Sequence, residues 1–177
     1  MIAEPGRRQL QRIVSGGQTG VDRAALRAAL DHGLEVGGWC PPDRGAGDGP
    51  IPEDLPLLAT PRERSRLAPD VPRSLRTEWN VRDSDATLIL RPLGSGEVAV
   101  DPGTAFAAVA AAFYGRPTLV VDPLGDQRAR SVERVVCWVR ALEVAVLGIG
   151  GPSEGTAPGI GEATYTLVAE VLRRLES

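Results

Sequence analysis

Apolar and polar positions along the chain follow two alternating periods, which predict strands separated by helices. Short continuous apolar runs, typical of buried strands, occupy residues 12–15, 34–39, 86–90, 118–121 and 143–149. Segments with a period of about 3.6 residues predict helices, over residues 21–32, 104–114, 131–142 and 161–175. Strands that alternate with helices form βαβ units in a parallel sheet. We therefore expect an α/β fold: a Rossmann-like parallel sheet flanked by helices in a three-layer sandwich.

The length of 177 residues fits one domain. We expect a single ligand-binding domain over residues 13–177, preceded by a polar tail over residues 1–12 that lacks the apolar core of a signal peptide. Two irregular stretches, 41–72 and 91–102, are longer than ordinary connections in a compact domain. Both follow strand ends, where open α/β sheets bind their ligands.

Composition excludes several classes of function. The net charge of −3 argues against a nucleic-acid partner, and no apolar stretch is long enough to cross a membrane, so we expect a cytoplasmic protein. All 20 basic residues are arginine, which excludes lysine-based catalysis. The one histidine, His32, excludes histidine-based metal clusters, and Cys40 and Cys137 match no zinc or disulfide spacing. We predict no metal ligand.

The glycine-rich turn after the first apolar run is the strongest candidate site. Residues 16–20 read Gly-Gly-Gln-Thr-Gly and lead directly into a predicted helix. A strand, a glycine turn and a helix N-terminus together present bare backbone N–H groups and the positive end of a helix dipole. This arrangement is typical of phosphate or oxyanion binding. A tight connection without a ligand stays open as the alternative.

Three further segments should meet this turn at the carboxyl edge of the sheet. One is the helix start at 101–104, where Thr104 could cap the helix or donate to an anion. Another is 73–85, in which Arg76 and Asn80 share a helical face, with Asp83 as a further candidate. The last comprises 150–152 and 157–160, a glycine and proline turn.

Several charged residues near these segments have simpler interpretations. Glu78 and Arg82 are spaced as a surface ion pair on the predicted helix. Asp22 falls in the first turn of a helix, where a carboxylate favours the dipole. Asp48 falls in a predicted turn. Asp22 and Asp48 are therefore lesser candidates for ligand binding.

Taken together, these motifs resemble the molybdenum-carrier family from Ile13 almost to the C-terminus. The matching segments are GGQTGVDRAAL (16–26), GGWCPP (37–42), DGPIP (48–52), TEWNVRDSDATLI (77–89) and PGT (102–104). The resemblance implies a cytoplasmic homo-oligomer, a dimer or tetramer, that binds molybdenum cofactor, molybdate or a related anionic, nucleotide-like ligand. The same Rossmann-like group includes phosphoribohydrolases often labelled lysine decarboxylases, so a nucleoside 5'-monophosphate phosphoribohydrolase is the alternative function.

Two departures from the related patterns bear on that choice. Pro102 stands where the family has glycine, and a proline lacks the backbone N–H that could donate to an anion. The phosphoribohydrolases resemble this chain but carry a glutamate where residues 104–108 offer no carboxylate, so we predict a binding protein without catalytic residues. The predicted binding residues, with Thr19 on the pocket floor, are Gly16, Gly17, Gln18, Thr19, Gly20, Asp22, Arg76, Asn80, Gly103 and Thr104.

Overall fold

Nine strands and five helices make up the part of the chain that the computed structural model describes, residues 10–94 and 99–177. The strands are β1 (Arg12–Val14), β2 (Glu35–Gly37), β3 (Trp39–Cys40), β4 (Gly45–Ala46), β5 (Gly49–Pro50), β6 (Leu58–Ala59), β7 (Ala86–Leu90), β8 (Thr118–Val121) and β9 (Val146–Gly150). The helices are α1 (Val21–Asp31), α2 (Ser74–Arg82), α3 (Pro102–Phe113), α4 (Arg128–Ala141) and α5 (Ile160–Glu176). Most of the predicted tail over residues 1–12 lies outside the described residues.

Five of these strands form a parallel sheet in the order β2-β1-β9-β7-β8. The chain leaves β1 through α1 towards one edge and leaves β7 through α3 towards the other edge. Right-handed crossovers then place α1 and α4 on one face and α3 on the opposite face. Contacts of α5 with α1 and α4, and of α2 with α3, complete the two helical layers. The predicted three-layer α/β fold is confirmed.

The core lies between the sheet and its helices. Ile13 and Leu147 of the central strands belong to the same buried hydrophobic cluster as Leu26 of α1 and Leu167 of α5. Full burial of each such side chain contributes about 1.5–3 kcal/mol to stability. Within residues 10–94 and 99–177, the helices are all too short or too polar to cross a membrane.

The predicted strand over 34–39 is divided in two by a close approach of the backbone. Gly38 has φ +127°, and a Cβ there would lie 2.4 Å from the carbonyl oxygen of Ser15 and 2.6 Å from Oδ1 of Asn80. The chain leaves the main sheet here, and β3 then pairs with β6 instead. The close approach of Gly38 thereby packs the end of β1 and the helix α2 against the backbone that leads into the irregular stretch 41–72.

Candidate functional site

A cavity of about 240 Å³ opens where the carboxyl ends of β1, β9 and β7 meet α2 and α3. The sheet topology explains the position of the cavity. The connections that follow β1 and β7 run to opposite edges of the sheet and leave a crevice between them. All four segments expected to converge contribute to its walls. The lining residues are Gly16, Gln18, Asp22, Pro72, Arg73, Arg76, Thr77, Asn80, Val81, Thr87, Asp101, Gly103, Ala107, Gly148, Ile149, Gly150, Gly151, Ser153 and Thr156.

The glycine turn is shared between this cavity and its surroundings. Gly16 and Gln18 line the cavity, whereas Gly17 has φ +79° and a Cβ there would lie 2.6 Å from Cδ1 of buried Leu57. Thr19 and Gly20 line a separate surface groove, so the expectation that Thr19 lies on the pocket floor is wrong. The physical reason is the sharp turn that the positive φ values at Gly17 and Gly20 impose.

Gly16 is the point at which two charged side chains converge. A Cβ at Gly16 would lie 2.9 Å from Oδ2 of Asp22 and 3.0 Å from Nη1 of Arg76. The absence of a side chain therefore lets both charged groups approach the backbone of the turn. No other residue type could stand at this position without moving one of them.

Arg76 reaches the cavity from the first half of α2. Its Nη1 donates to the carbonyl oxygen of Gly16 at 3.2 Å and lies 3.8 Å from Oδ2 of Asp22. The side chain is only 14% exposed. Burial lowers the pKa of this guanidinium and the charge of Asp22 raises it. An arginine remains charged in proteins, so the cavity holds a fixed positive group.

Asp22 completes a buried ion pair with Arg76. Burial raises the pKa of the Asp22 carboxyl, while the charge of Arg76 lowers it, as do hydrogen bonds from the backbone of Gln18 and Gly16. A separation of 3.8 Å makes the pair a contact of charges rather than a hydrogen bond. Among the residues that the structure describes, the guanidinium makes one hydrogen bond, to Gly16, and its other N–H groups can donate to a further acceptor.

Asn80 lines the cavity, but its amide also fixes the neighbouring loop. Its Oδ1 accepts from the backbone N–H of Trp39 at 2.8 Å, and its Nδ2 donates to the carbonyl oxygen of Trp39 at 2.9 Å. Asp83 lies outside the cavity lining, where it accepts hydrogen bonds from Nε1 of Trp39 and from Arg82. The α2 helix thus offers Arg76 as its charged group towards a ligand.

The predicted surface ion pair of Glu78 with Arg82 is wrong. Glu78 is buried and accepts hydrogen bonds from Oγ of Ser65 and from the hydroxyl of Tyr114 at 2.7 Å. Arg82 pairs with Asp83 instead, at 2.7 Å. The spacing of four residues between Glu78 and Arg82 places both on one face of α2. It does not reveal that α3 and the loop before α2 cover the side of the helix on which Glu78 lies.

The N-terminus of α3 forms the opposite wall. Oδ1 of Asp101 caps the helix by accepting from the backbone N–H of Thr104 at 3.0 Å, and Pro102 occupies the first helical position, where a missing N–H breaks no helical bond. Gly103 lines the cavity. The side chain of Thr104 is buried and lies outside that lining, with no hydrogen-bond partner for Oγ1 among the described residues.

Several lining residues were not among those predicted from the sequence. Arg73, at φ +56°, precedes α2 and had no distinguishing signal. Thr77 lies one position after Arg76 on the same helix, and Thr87 is part of a strand that is buried at every position. The Gly150-Gly151 turn was recognised as a converging segment and does line the cavity, although a turn alone does not reveal which surface it faces.

Comparison with known proteins identifies the family to which the chain belongs. A family model described as the circularly permutated YpsA SLOG family matches residues 13–172. The chain belongs to this family. The crystal structure of a protein from Syntrophus aciditrophicus SB, named a putative molybdenum carrier protein, is similar to it at 36% identity with a TM-score of 0.79. The match covers 93% of this chain and 96% of that one, and no curated protein matches.

For this member of the circularly permutated YpsA SLOG family, the predicted resemblance to molybdenum-carrier proteins is confirmed. The described residues bring together charged side chains and backbone N–H groups rather than a metal-ligand set, since they contain no cluster of three or more His, Cys, Asp or Glu suited to an ion. Such donors suit an oxyanion or a phosphate group.

Proposed function

We propose that this protein binds a small anionic ligand in the cavity between α2 and α3 and carries it without chemical conversion. The ligand class comprises phosphate-bearing, nucleotide-like molecules and molybdenum-containing anions, including molybdenum cofactor. The observation that carries this proposal is Arg76, a guanidinium that lines the cavity, is 14% exposed and makes its one described hydrogen bond to Gly16.

A backbone N–H group beside Arg76 adds to the attraction for an anion. Within residues 10–94 and 99–177, the N–H group of Gly103 has no hydrogen-bond partner, whereas the N–H groups of Gly16 and Gln18 hydrogen-bond the Asp22 carboxyl. Gly103 belongs to the first turn of α3, so the dipole of that helix reinforces its N–H donor. Gly103 and Arg76 line the same cavity, so a bound anion could accept from both.

The size of the cavity favours a small ligand or one end of a larger ligand. Its volume of about 240 Å³ lies just below the roughly 300–1,000 Å³ of sites for drug-sized ligands. A phosphate group with part of an attached nucleoside or pterin fits this description. The name of the Syntrophus aciditrophicus neighbour supports a molybdenum-bearing cargo in the same class.

Arg76 provides the decisive test. Isothermal titration of AMP, inorganic phosphate, molybdate and tungstate should show binding to the wild type for at least one of them. Arg76→Gln should weaken that binding roughly 10- to 100-fold, because charge-assisted hydrogen bonds contribute about 1.5–3 kcal/mol. Arg76→Lys keeps the charge but lacks the planar fork, so it should restore only part of the affinity.

Arg134→Gln is the matched control. Arg134 is an exposed arginine of α4, on the sheet face opposite α2 and α3, and is absent from the cavity lining. Its replacement removes the same charge from the molecule but should leave the affinity unchanged. Equal losses in Arg76→Gln and Arg134→Gln would mean that overall charge, and not this cavity, attracts the anion.

A phosphoribohydrolase activity is the second candidate, because two carboxylates line the same cavity. Asp22 has a raised pKa owing to burial, and Asp101 lies at the start of α3. A carboxyl group that retains its proton can act as the general acid in cleavage of a glycosidic bond. Incubation with AMP, followed by chromatography for adenine and ribose 5-phosphate, tests it. Release of both that depends on Asp22 would replace the carrier proposal.

A further inference from the structure

We propose that Asp22 makes the cavity selective for an oxyanion that can hold a proton near neutral pH, namely a phosphate group, over tetraoxoanions that cannot, such as sulfate and molybdate. This inference rests on the proposed function, since it requires an anion beside Arg76. It concerns the choice among anions, which the fold and the family leave open.

The Asp22 carboxylate lies beside the Arg76 guanidinium, which is the group that a bound anion has to contact. Oδ2 of Asp22 and Nη1 of Arg76 lie 3.8 Å apart and meet at the vacant Cβ position of Gly16. Both side chains line the cavity and both are nearly buried, at 11% and 14% exposure. An oxygen atom that accepts from the Arg76 guanidinium therefore lies within reach of the Asp22 carboxylate.

The anion oxygen and the carboxylate oxygen of Asp22 are both acceptors, and they repel one another at close range unless a proton lies between them. A phosphate group with one P–OH donates to the carboxylate and turns the repulsion into a charge-assisted O–H···O hydrogen bond. Sulfate and molybdate have no such proton near pH 7. With these anions the proton has to come from Asp22 itself, and the cost of protonating the carboxyl reduces the affinity.

The other charged groups facing the cavity do not remove this effect. Arg73 and Arg76 contribute two positive charges, and Asp22 and Asp101 contribute two negative charges, so the lining has no formal excess of positive charge. Attraction of the anion therefore depends on specific contacts. Burial raises the pKa of the Asp22 carboxyl, and Arg76 lowers it, so the shared proton can rest on either partner.

The proposal fixes the direction of the pH dependence. The complex contains one proton more than the ionised carboxyl and the phosphate dianion have when apart. Above the second pKa of a phosphate monoester, about 6, and above the pKa of Asp22, binding must take up that proton from solution. The affinity for AMP should then fall by up to about tenfold for each pH unit.

The experiment compares AMP, inorganic phosphate, sulfate and molybdate by isothermal titration from about pH 6 to pH 8.5. The wild type should prefer AMP or phosphate to sulfate and molybdate by at least about tenfold near pH 7.5. Asp22→Asn, which can donate as well as accept, should remove this preference and abolish the fall in AMP affinity with pH. Tighter binding of AMP than of inorganic phosphate would show that the bound phosphate group belongs to a nucleotide.

Asp48→Asn is the matched control, since Asp48 is an exposed carboxylate outside the cavity lining. It should leave both the preference and the pH dependence as in the wild type. If Asp22→Asn does not fold, titration of the wild type with AMP in buffers of different ionisation enthalpy still counts the protons taken up. About one proton per AMP near pH 8 is expected.

The outcomes separate this inference from the proposed function. Equal binding of phosphate and sulfate by the wild type, or no proton uptake with AMP, would overturn the role of Asp22 while anion binding stands. Tighter binding of molybdate than of AMP would do the same. Binding of none of the four anions would remove the proposed function, and this inference with it.

Discussion

At the scale of single residues, Gly16 and Gly17 are adjacent but have different tasks. Gly16 has no positive φ, and its missing Cβ makes room for Asp22 and Arg76. Gly17 has φ +79° and faces Leu57 and Ile51 of the core. One glycine therefore serves the cavity, and its neighbour serves the fold.

Gly16→Ala should weaken binding and leave stability almost unchanged. The new methyl group would stand 2.9 Å from Oδ2 of Asp22 and 3.0 Å from Nη1 of Arg76, and both atoms belong to side-chain ends that can move aside. Their displacement disturbs the anion contacts but not the core. We expect a loss of affinity of about tenfold, or 1.4 kcal/mol, in titrations with the anion that the wild type binds best.

Gly17→Ala is the matched comparison. Its methyl group would lie 2.6 Å from Cδ1 of Leu57, and an L-residue at φ +79° is strained. Overpacking of a core costs about 1–3 kcal/mol, so urea denaturation should show a less stable protein. A reversed result, with Gly16→Ala unstable and Gly17→Ala deficient only in binding, would contradict the division of roles.

The sequence indicates the anion-binding character of this turn but not which of its residues face the cavity. Five consecutive residues, 16–20, were predicted to bind, yet only Gly16 and Gln18 line the cavity. The distinction depends on backbone angles at Gly17 and Gly20 and on Leu57, which is distant in the chain. A local pattern contains none of these facts.

At the scale of secondary-structure elements, the start of α3 combines a structural and an electrostatic role in Asp101. Its Oδ1 caps the helix at the N–H of Thr104, while its charge faces the same cavity as Arg76. These two roles conflict if the ligand is an anion. The helix cap requires an oxygen acceptor, but the negative charge of the same carboxylate repels an anionic ligand.

Substitution at Asp101 should separate these roles. Asp101→Ser keeps a capping oxygen and removes the charge, so anion affinity should rise by a few fold with little change in stability. Asp101→Ala removes both and should cost about 1 kcal/mol of helix capping. Thermal unfolding and anion titration of the two variants check this. A fall in affinity for Asp101→Ser would show that the carboxylate itself contacts the ligand.

Element boundaries were predicted well where periodicity is strong and poorly where tertiary contacts decide. The five main strands and the four long helices lie close to their predicted positions. The division of 34–39 at Gly38 and the burial of Glu78 depend on Ser15, Asn80 and Tyr114, which come from other elements. Such contacts have no local signature in the sequence.

At the scale of the whole molecule, topology assembles the cavity from distant parts of the chain. Gly16, Arg76, Gly103 and Gly150 are separated by many residues, yet parallel strands bring them to one edge of the sheet. This convergence was predictable from the α/β pattern alone, because ligands bind at the carboxyl ends of such strands. The side-chain contacts within it were not.

The outer surface of α3 is the basis for our proposal that the protein is a homodimer. The outward positions of this helix are all apolar and exposed: Ala105, Ala108, Val109, Ala112 and Phe113. Val109 is 59% exposed and Phe113 is 63% exposed. A helix that is apolar on every side is usually covered on every side. Small alanines would let two copies of α3 approach closely about a twofold axis, and an uncharged face does not repel its own copy.

Val109→Glu should separate the two subunits, because a twofold contact would bring two like charges together in an apolar interface. Light scattering after size-exclusion chromatography should give twice the chain mass of 18.7 kDa for the wild type and the single mass for the variant. Leu142→Glu, a change at an exposed leucine at the end of α4, should remain dimeric. A monomeric wild type would contradict the proposal, whereas a dimer unaffected by Val109→Glu would show that the interface does not include α3.

The dimer and the anion site share the helix α3, which supplies Gly103 to the cavity. A dimer through this helix would fix one wall of the anion site in both subunits. Loss of the dimer should then weaken anion binding as well.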